Sequence, residues 1–128
     1  MNSTQPAQSP LLPSLLVACL CADWCGACRE YKPLFDSLAL KFPNVRFLWV
    51  DVEDEADLID PIEVEDFPTI LIAKGQNPLF FGTVLPHIET LERLIQDKMT
   101  DIEHALAKDV AVIDLATKLF AQRENQDN

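Results

Sequence analysis

The segment LLVACLCADWCGACREYKPLF, residues 15–35, contains the transitions that decide the fold. Residues 15–22 form a continuous apolar run of strand length, which is typical of a buried β-strand. Residues 23–28 then make a loop that enters a helix. The helix is predicted from apolar side chains that recur every three or four residues, namely Tyr31, Leu34, Phe35, Leu38 and Phe42. A buried strand, a short loop and an amphipathic helix are therefore expected in succession.

The remaining elements are predicted from β-branched and aromatic runs, apolar periodicity and turn residues. The predicted strands are residues 45–52, 69–73 and 79–82, and the predicted helices are residues 53–59, a long pattern after Pro86, and residues 110–121. The first strand, helix and strand imply a parallel pair with a right-handed crossover. The short turn around Gly75 indicates an antiparallel hairpin. An α/β fold with a mixed four-stranded sheet flanked by helices is expected.

A C-x-x-C motif, Cys25-Gly26-Ala27-Cys28, lies where the first strand gives way to the helix. The first turn of a helix offers free N–H groups and a partial positive charge, which stabilise a thiolate. We expect Gly26 to let the chain turn tightly there. Cys28 lies one turn further on, close enough to form a small ring with Cys25. This spacing suits thiol–disulfide exchange, in which Cys25 attacks a substrate disulfide and Cys28 resolves the mixed disulfide.

Further residues match one known family. They are Trp24 before the motif, Pro33 after it, Asp51 at the end of the next strand, Phe67-Pro68-Thr69 before the third strand, and Gly82. With these residues the chain resembles the thioredoxin family over residues 14–99. The resemblance implies a thioredoxin-like fold with an extra C-terminal helix. It also implies a protein-disulfide reductase that exchanges disulfides with protein substrates and receives electrons from a reductase. A redox-active Cys25–Cys28 disulfide would then serve in place of any organic cofactor.

The Phe67-Pro68 dipeptide is expected beside the C-x-x-C motif. A proline that opens a strand cannot donate a ladder hydrogen bond and therefore marks a special position. The resemblance implies that the Phe67–Pro68 bond is cis and forms the wall against which a substrate chain docks. The backbone of Phe67 would then offer strand-like hydrogen bonds to that chain.

Four positions depart from the family pattern. Ala27 stands between the cysteines, where a proline is commoner in the family, and Cys21 occupies a position that is often a tryptophan. Cys19 occupies the position of a buried acid in the family, and Phe47 occupies the position of the lysine that pairs with that acid. A buried thiol is a poor substitute for a carboxylate as a proton acceptor. We therefore expect slower resolution of mixed disulfides. The joint loss of the acid and the lysine indicates repacking of this region.

Cys19 and Cys21 are two residues apart on a strand and should face the same side of the sheet. One interpretation makes them small buried apolar residues. Another makes them a second thiol pair, or a metal or iron–sulfur site together with Cys25 and Cys28, although the spacing matches no established ligand pattern. No metal ligands are assigned. A further alternative is an interaction or chaperone module on the same fold, in which redox activity is incidental.

Charge and cysteine usage limit the partners and the compartment. The net charge is −11, so binding to nucleic acid is not expected. No apolar run is long enough to span a membrane. The four cysteines lie within ten residues rather than closing long loops, and residues 1–28 contain no Lys or Arg of the kind that opens a signal peptide. A cytoplasmic location is therefore expected.

Composition divides the chain into four parts. Residues 1–13 are predicted to be a loose arm, residues 14–99 the thioredoxin-like domain, residues 100–123 a helical extension packed on it, and residues 124–128 a polar tail. We expect no counterpart of the first strand and helix of full-length thioredoxins before residue 15. We expect the extension to cover the surface that those elements would cover, or to form a homodimer.

Overall fold

The computed structural model describes residues 15–75, 77–100 and 110–126, with the side chains of residues 100 and 122–126 left out of the description. Its elements in chain order are β1 (Leu15–Cys21), α1 (Gly26–Ala39), β2 (Val45–Asp51), α2 (Ala56–Ile59), β3 (Thr69–Lys74), β4 (Asn77–Thr83), α3 (Ile88–Thr100) and α4 (Val110–Gln126). The predicted arm at residues 1–13 and residues 101–109 of the extension lie outside the described ranges.

The four strands form one mixed sheet in the order β2-β1-β3-β4. Strand β1 runs parallel to β2 and antiparallel to β3, and β3 pairs antiparallel with β4. The predicted α/β class, the parallel pair and the hairpin are therefore confirmed. Because β1 and β3 are the central strands, they carry the most deeply buried side chains, and the loops at their ends are held in place by the core.

The hairpin between β3 and β4 is tighter than the sequence predicts. Strand β4 begins at Asn77, so Pro78 lies in the strand and not in the turn. Gly75 takes a φ of 60°, a left-handed conformation that glycine adopts without strain. The register shifts between Ile72 and Ala73, and Pro78 pairs opposite Ala73 on an edge strand. An irregular edge strand tolerates proline because no further strand needs its missing N–H group.

The helices pack on both faces of the sheet. Helices α1 and α3 cover the face that bears the cysteines, where the buried side chains include Val17, Cys19, Tyr31, Phe35, Ile70, Leu91 and Ile95. Helices α2 and α4 cover the other face, where they bury Leu16, Leu20, Leu71, Ile59, Val112, Leu115 and Leu119. The apolar stripe predicted for the first helix faces the core, except that Leu34 is exposed.

Helix α4 supplies part of the core. Its buried residues Val112, Leu115, Ala116 and Leu119 pack on the face opposite α1 and α3. Covering the sheet and forming a homodimer were both expected of this segment. The observed packing uses its apolar side chains within the chain itself, while the homodimer stays a prediction. The helix also continues to Gln126, past the predicted end of residue 121, because Gln, Arg and Glu are good helix formers.

Candidate redox active site

Cys25 is placed at the start of a helix by the loop that follows β1. It is the N-cap residue of α1 and has an extended backbone, with φ −85° and ψ 122°. Its N–H group donates to the carbonyl of Ala22 at 3.1 Å, and its carbonyl accepts the N–H of Arg29 at 3.1 Å. Cys25 therefore lies at the N-terminus of α1, where the unpaired N–H groups of a helix favour a nearby negative charge.

The turn at Gly26 does not depend on glycine, contrary to the sequence-based expectation. In the described ranges, the one glycine with a positive φ is Gly75. A Cβ atom added at Gly26 would meet the Arg29 guanidinium at 3.8 Å, an ordinary van der Waals distance. Because the extended N-cap already turns the chain, the loop needs no unusual backbone conformation. Arg29 itself donates from Nη1 to the backbone carbonyl of Asp23 at 3.0 Å, not to its carboxylate.

The proline loop before β3 lies beside the C-x-x-C loop. The Trp24 and Phe67 rings meet edge to face with centroids 5.6 Å apart, and the Phe67–Pro68 peptide bond is cis. The Trp24 indole N–H donates to Oε2 of Glu53 at 2.7 Å. The Thr69 hydroxyl donates to the carbonyl of Asp66 at 2.6 Å and fixes the start of β3. The structure therefore brings Trp24, Cys25 and Phe67-Pro68-Thr69 together at one end of the sheet.

The disulfide in the structure joins Cys21 to Cys28, whose Cα atoms are 5.8 Å apart, and leaves Cys19 and Cys25 free. The Cys25–Cys28 bond expected from the resemblance is therefore not the one formed here. Cys21 ends β1 and points under α1, where Cys28 faces the sheet from the first turn of the helix. Cys28 is 1% exposed and Cys21 is fully buried.

The sequence contains a signal for this pairing. Side chains two residues apart on a strand lie on the same face of the sheet. The following helix buries its apolar stripe against that face, so the residue one turn into the helix points towards the same face. Cys21 and Cys28 satisfy both conditions. The predicted shared face of Cys19 and Cys21 is confirmed, since their sulfurs lie 3.9 Å apart.

Burial governs the chemistry of the two groups beneath the site. Desolvation raises the pKa of the Cys19 thiol far above its ordinary range, against a smaller lowering by the charge of Lys32. Burial likewise raises the pKa of the Tyr31 hydroxyl, and a charge on Cys19 would raise it further. Both groups therefore stay protonated at neutral pH, and Cys19 cannot serve as the proton acceptor that a carboxylate at its position would be.

Aromatic packing replaces the acid and lysine pair of the family. The ring of Phe47 lies 5.1 Å from that of Phe35 and 6.3 Å from that of Phe42, while Trp49 contacts Phe35 at 5.6 Å. These rings belong to the same apolar cluster as Cys19. In this chain the region for which repacking is predicted is filled by aromatic rings.

Replacing Tyr31 by phenylalanine should raise the free energy of unfolding by about 1 kcal/mol, because the buried Tyr31 hydroxyl has no hydrogen-bond partner among the described residues. The phenylalanine ring would keep the stacking with Phe35, whose centroid lies 6.5 Å away. Urea denaturation of both proteins in the same redox state measures the difference. If the phenylalanine variant is instead less stable by a similar amount, the Tyr31 hydroxyl has a hydrogen-bond partner and the prediction is wrong.

The four sulfurs do not form a metal-ligand set in this structure. Cys21 and Cys28 are bonded to each other. No group of three or more His, Cys, Asp or Glu side chains in the described part of the chain is arranged to hold a metal ion.

The four-stranded mixed sheet carries a partly exposed cysteine at the start of a helix, a position that favours thiolate chemistry. The family model described as Thioredoxin matches residues 12–97. The chain belongs to the thioredoxin family. Its homologues are thioredoxins, and their activity in general is that of a thiol–disulfide oxidoreductase.

Individual relatives cover part of the chain. This chain is 34% identical over 94 residues to "Thioredoxin H-type" of Fagopyrum esculentum, and the aligned region covers 73% of this chain and 70% of the relative. It is 46% identical over 63 residues to human "Thioredoxin", covering 48% of this chain and 60% of the relative. The crystal structure of thioredoxin from Trypanosoma brucei brucei matches with a TM-score of 0.62 at 27% identity, covering 70% of this chain and 78% of that one.

Proposed function

We propose that the protein reduces disulfides of protein substrates through Cys25 as the attacking nucleophile. One observation carries this proposal. Of the four cysteines, all of which lie in the described ranges, Cys25 alone is partly exposed, whereas Cys19, Cys21 and Cys28 are buried. A substrate disulfide can therefore be attacked from solvent by one sulfur. Cys28, which is one helical turn further on, is the group placed to displace the bound substrate.

We propose that the substrate chain docks on the wall formed by Phe67 and Pro68. Phe67 is half-buried and touches Trp24, the residue before Cys25, so the two loops meet beside the nucleophile. The carbonyl of Pro68 accepts the N–H of Val84 at 3.1 Å and is used within the fold. The Phe67 backbone lies just before the β3 ladder begins. An extended peptide could add to it as a short strand segment.

Charge near the site favours positively charged partner surfaces. Nine acidic residues and no Lys or Arg lie between residues 51 and 66, directly before Pro68. One of them, Glu53, accepts the Trp24 indole N–H and so lies at the rim of the site. An anionic rim attracts basic partners and repels anionic thiols. This arrangement supports a protein reductase as the electron donor rather than glutathione.

We propose a reducing compartment such as the cytoplasm, where reductases keep Cys25 reduced. The clustering of the cysteines in one ten-residue stretch supports this choice. None of the helices in the described ranges has the length and apolar character that a bilayer crossing requires.

The test is reduction of insulin disulfides in the presence of dithiothreitol. The wild-type protein should accelerate insulin precipitation above the rate with dithiothreitol alone. Protein that was reduced and then blocked with N-ethylmaleimide before the assay should give the dithiothreitol rate, because its reacting thiol is capped. Equal rates for the unblocked and blocked protein would overturn the proposed function.

A further inference from the structure

We propose that Cys21 is a second resolving cysteine. It attacks Cys28 in the Cys25–Cys28 disulfide, so that a Cys21–Cys28 disulfide forms and Cys25 is left as a free thiol. The oxidised protein then stores its disulfide between Cys21 and Cys28 and keeps a nucleophile at the surface. This inference rests on the proposed function, because it requires Cys25 and Cys28 to exchange disulfides with substrates.

The arrangement of the sulfurs carries the proposal. Cys28 is within bonding reach of Cys21 in the structure and, by its position one turn into α1, within reach of Cys25. Cys28 is therefore the shared member of two alternative pairs. Its sulfur also accepts the N–H of Ala22 at 3.3 Å, a contact that favours a negative charge on that sulfur during exchange. The backbone of Cys21 is fixed by the hydrogen bond from the N–H of Val52 to its carbonyl at 2.8 Å.

The steps balance as three exchanges, of which the first two together reduce the substrate. Cys25 first attacks a substrate disulfide, forming a mixed disulfide and releasing one substrate thiol. Cys28 attacks the Cys25 sulfur, forms Cys25–Cys28 and releases the second substrate thiol, so the substrate gains two electrons and the protein loses two. Cys21 then attacks the Cys28 sulfur, forms Cys21–Cys28 and displaces Cys25. The last step leaves the total number of disulfides and thiols unchanged, and the proton lost by the Cys21 thiol balances the one gained by the Cys25 thiolate that it displaces.

The position of Cys25 favours the last step in this direction. The leaving sulfur departs at the start of α1, where the helix amides stabilise its charge. The bond that forms lies in the apolar cluster beneath the helix, with both sulfurs shielded from solvent thiols. An external reductant therefore acts on the stored disulfide only after Cys25 has attacked Cys28, released Cys21 and formed the accessible Cys25–Cys28 disulfide again.

Cys19 is the neighbouring thiol that this scheme leaves out. Its sulfur lies 3.9 Å from that of Cys21, yet it sits one strand repeat deeper, opposite Trp49 and Ile70, while Cys21 ends the strand beside α1. It is therefore a matched control: a second fully buried cysteine on the same strand and the same face.

The experiment maps the disulfide in the oxidised full chain. The reduced protein is oxidised by diamide, equilibrated at neutral pH, quenched with acid and alkylated, then cut on the N-terminal side of aspartate. The first aspartate is Asp23, so Cys19 and Cys21 fall in one peptide and Cys25 and Cys28 in the next. A Cys21–Cys28 bond links the two peptides and leaves Cys25 alkylated, whereas a Cys25–Cys28 bond stays within the second peptide.

We expect the linked peptides in more than half of the wild-type protein and in Cys19→Ala. In Cys21→Ala and Cys21→Ser we expect their complete loss, with the disulfide inside the second peptide and Cys25 no longer alkylated. A majority of Cys25–Cys28 in the wild type, or linked peptides that persist in both Cys21 variants, would overturn the relay. If that wild-type protein still reduces insulin, the relay alone has failed and the proposed function stands; inactivity towards insulin refutes the proposed function itself.

Discussion

Cys25→Ser is expected to lose all catalysed insulin reduction and to give the rate of dithiothreitol alone. A serine hydroxyl is not ionised at neutral pH and cannot take the place of the attacking thiolate. The remaining cysteines cannot substitute, because Cys28 is 1% exposed and Cys19 and Cys21 are fully buried. The measurement is insulin turbidity at equal protein concentrations, with circular dichroism to verify that the variant is folded.

Cys28→Ser is the matched control for this prediction, because it also removes one sulfur from the motif but keeps the nucleophile. Cys25 should still attack the substrate, and without the resolving sulfur the mixed disulfide should accumulate as a covalent complex on a non-reducing gel. The Cys25→Ser protein should form no such complex. Complexes formed by Cys25→Ser but not by Cys28→Ser would reverse the assigned roles.

Leu119→Ala is expected to lower the free energy of unfolding by about 2–5 kcal/mol, the usual cost of removing a fully buried leucine side chain. Leu119 is 0% exposed and packs from α4 onto the sheet face that also buries Leu16 and Leu71. The alanine leaves a cavity in that layer which the rigid sheet fills only in part. Urea denaturation followed by fluorescence gives the difference.

Leu40→Ala provides the control, since Leu40 is 84% exposed at the end of α1 and its truncation should change stability by less than about 0.5 kcal/mol. A change at Leu119 as small as the one expected at Leu40 would contradict a contribution of α4 to the core. Both variants remove the same atoms, so a difference in their unfolding free energies reports the burial of the Leu119 side chain.

Local patterns were sufficient to predict most of the fold. Each strand was an apolar or β-branched run with turn residues at its ends, and α1 carried its stripe at helical spacing. These signals depend on near neighbours in sequence and therefore survive without knowledge of the tertiary structure. The predicted start of β4 is wrong because proline is typical of turns. The strand tolerates Pro78 because β4 lies at the edge of the assembled sheet, a position that local sequence does not reveal.

The site was harder to predict because pairing among four nearby sulfurs depends on side-chain direction. The motif identified Cys25 and Cys28 as the reacting pair, and the disulfide of the structure joins Cys28 to Cys21 instead. The family resemblance favoured the familiar pair, while the strand-to-helix geometry favours the other. Gly26 was likewise assigned a conformational role that the extended backbone of Cys25 makes unnecessary.

The packing of α4 also affects how the protein can fold as it is synthesised. Every strand in the described ranges precedes α4 in the chain, so the ribosome releases these four strands before the helix that shields Leu16, Leu20 and Leu71 has emerged. During that interval the nascent chain presents an uncovered apolar surface, which is prone to aggregation and to capture by chaperones. The docking of α4 therefore cannot be completed until Leu119 has left the exit tunnel.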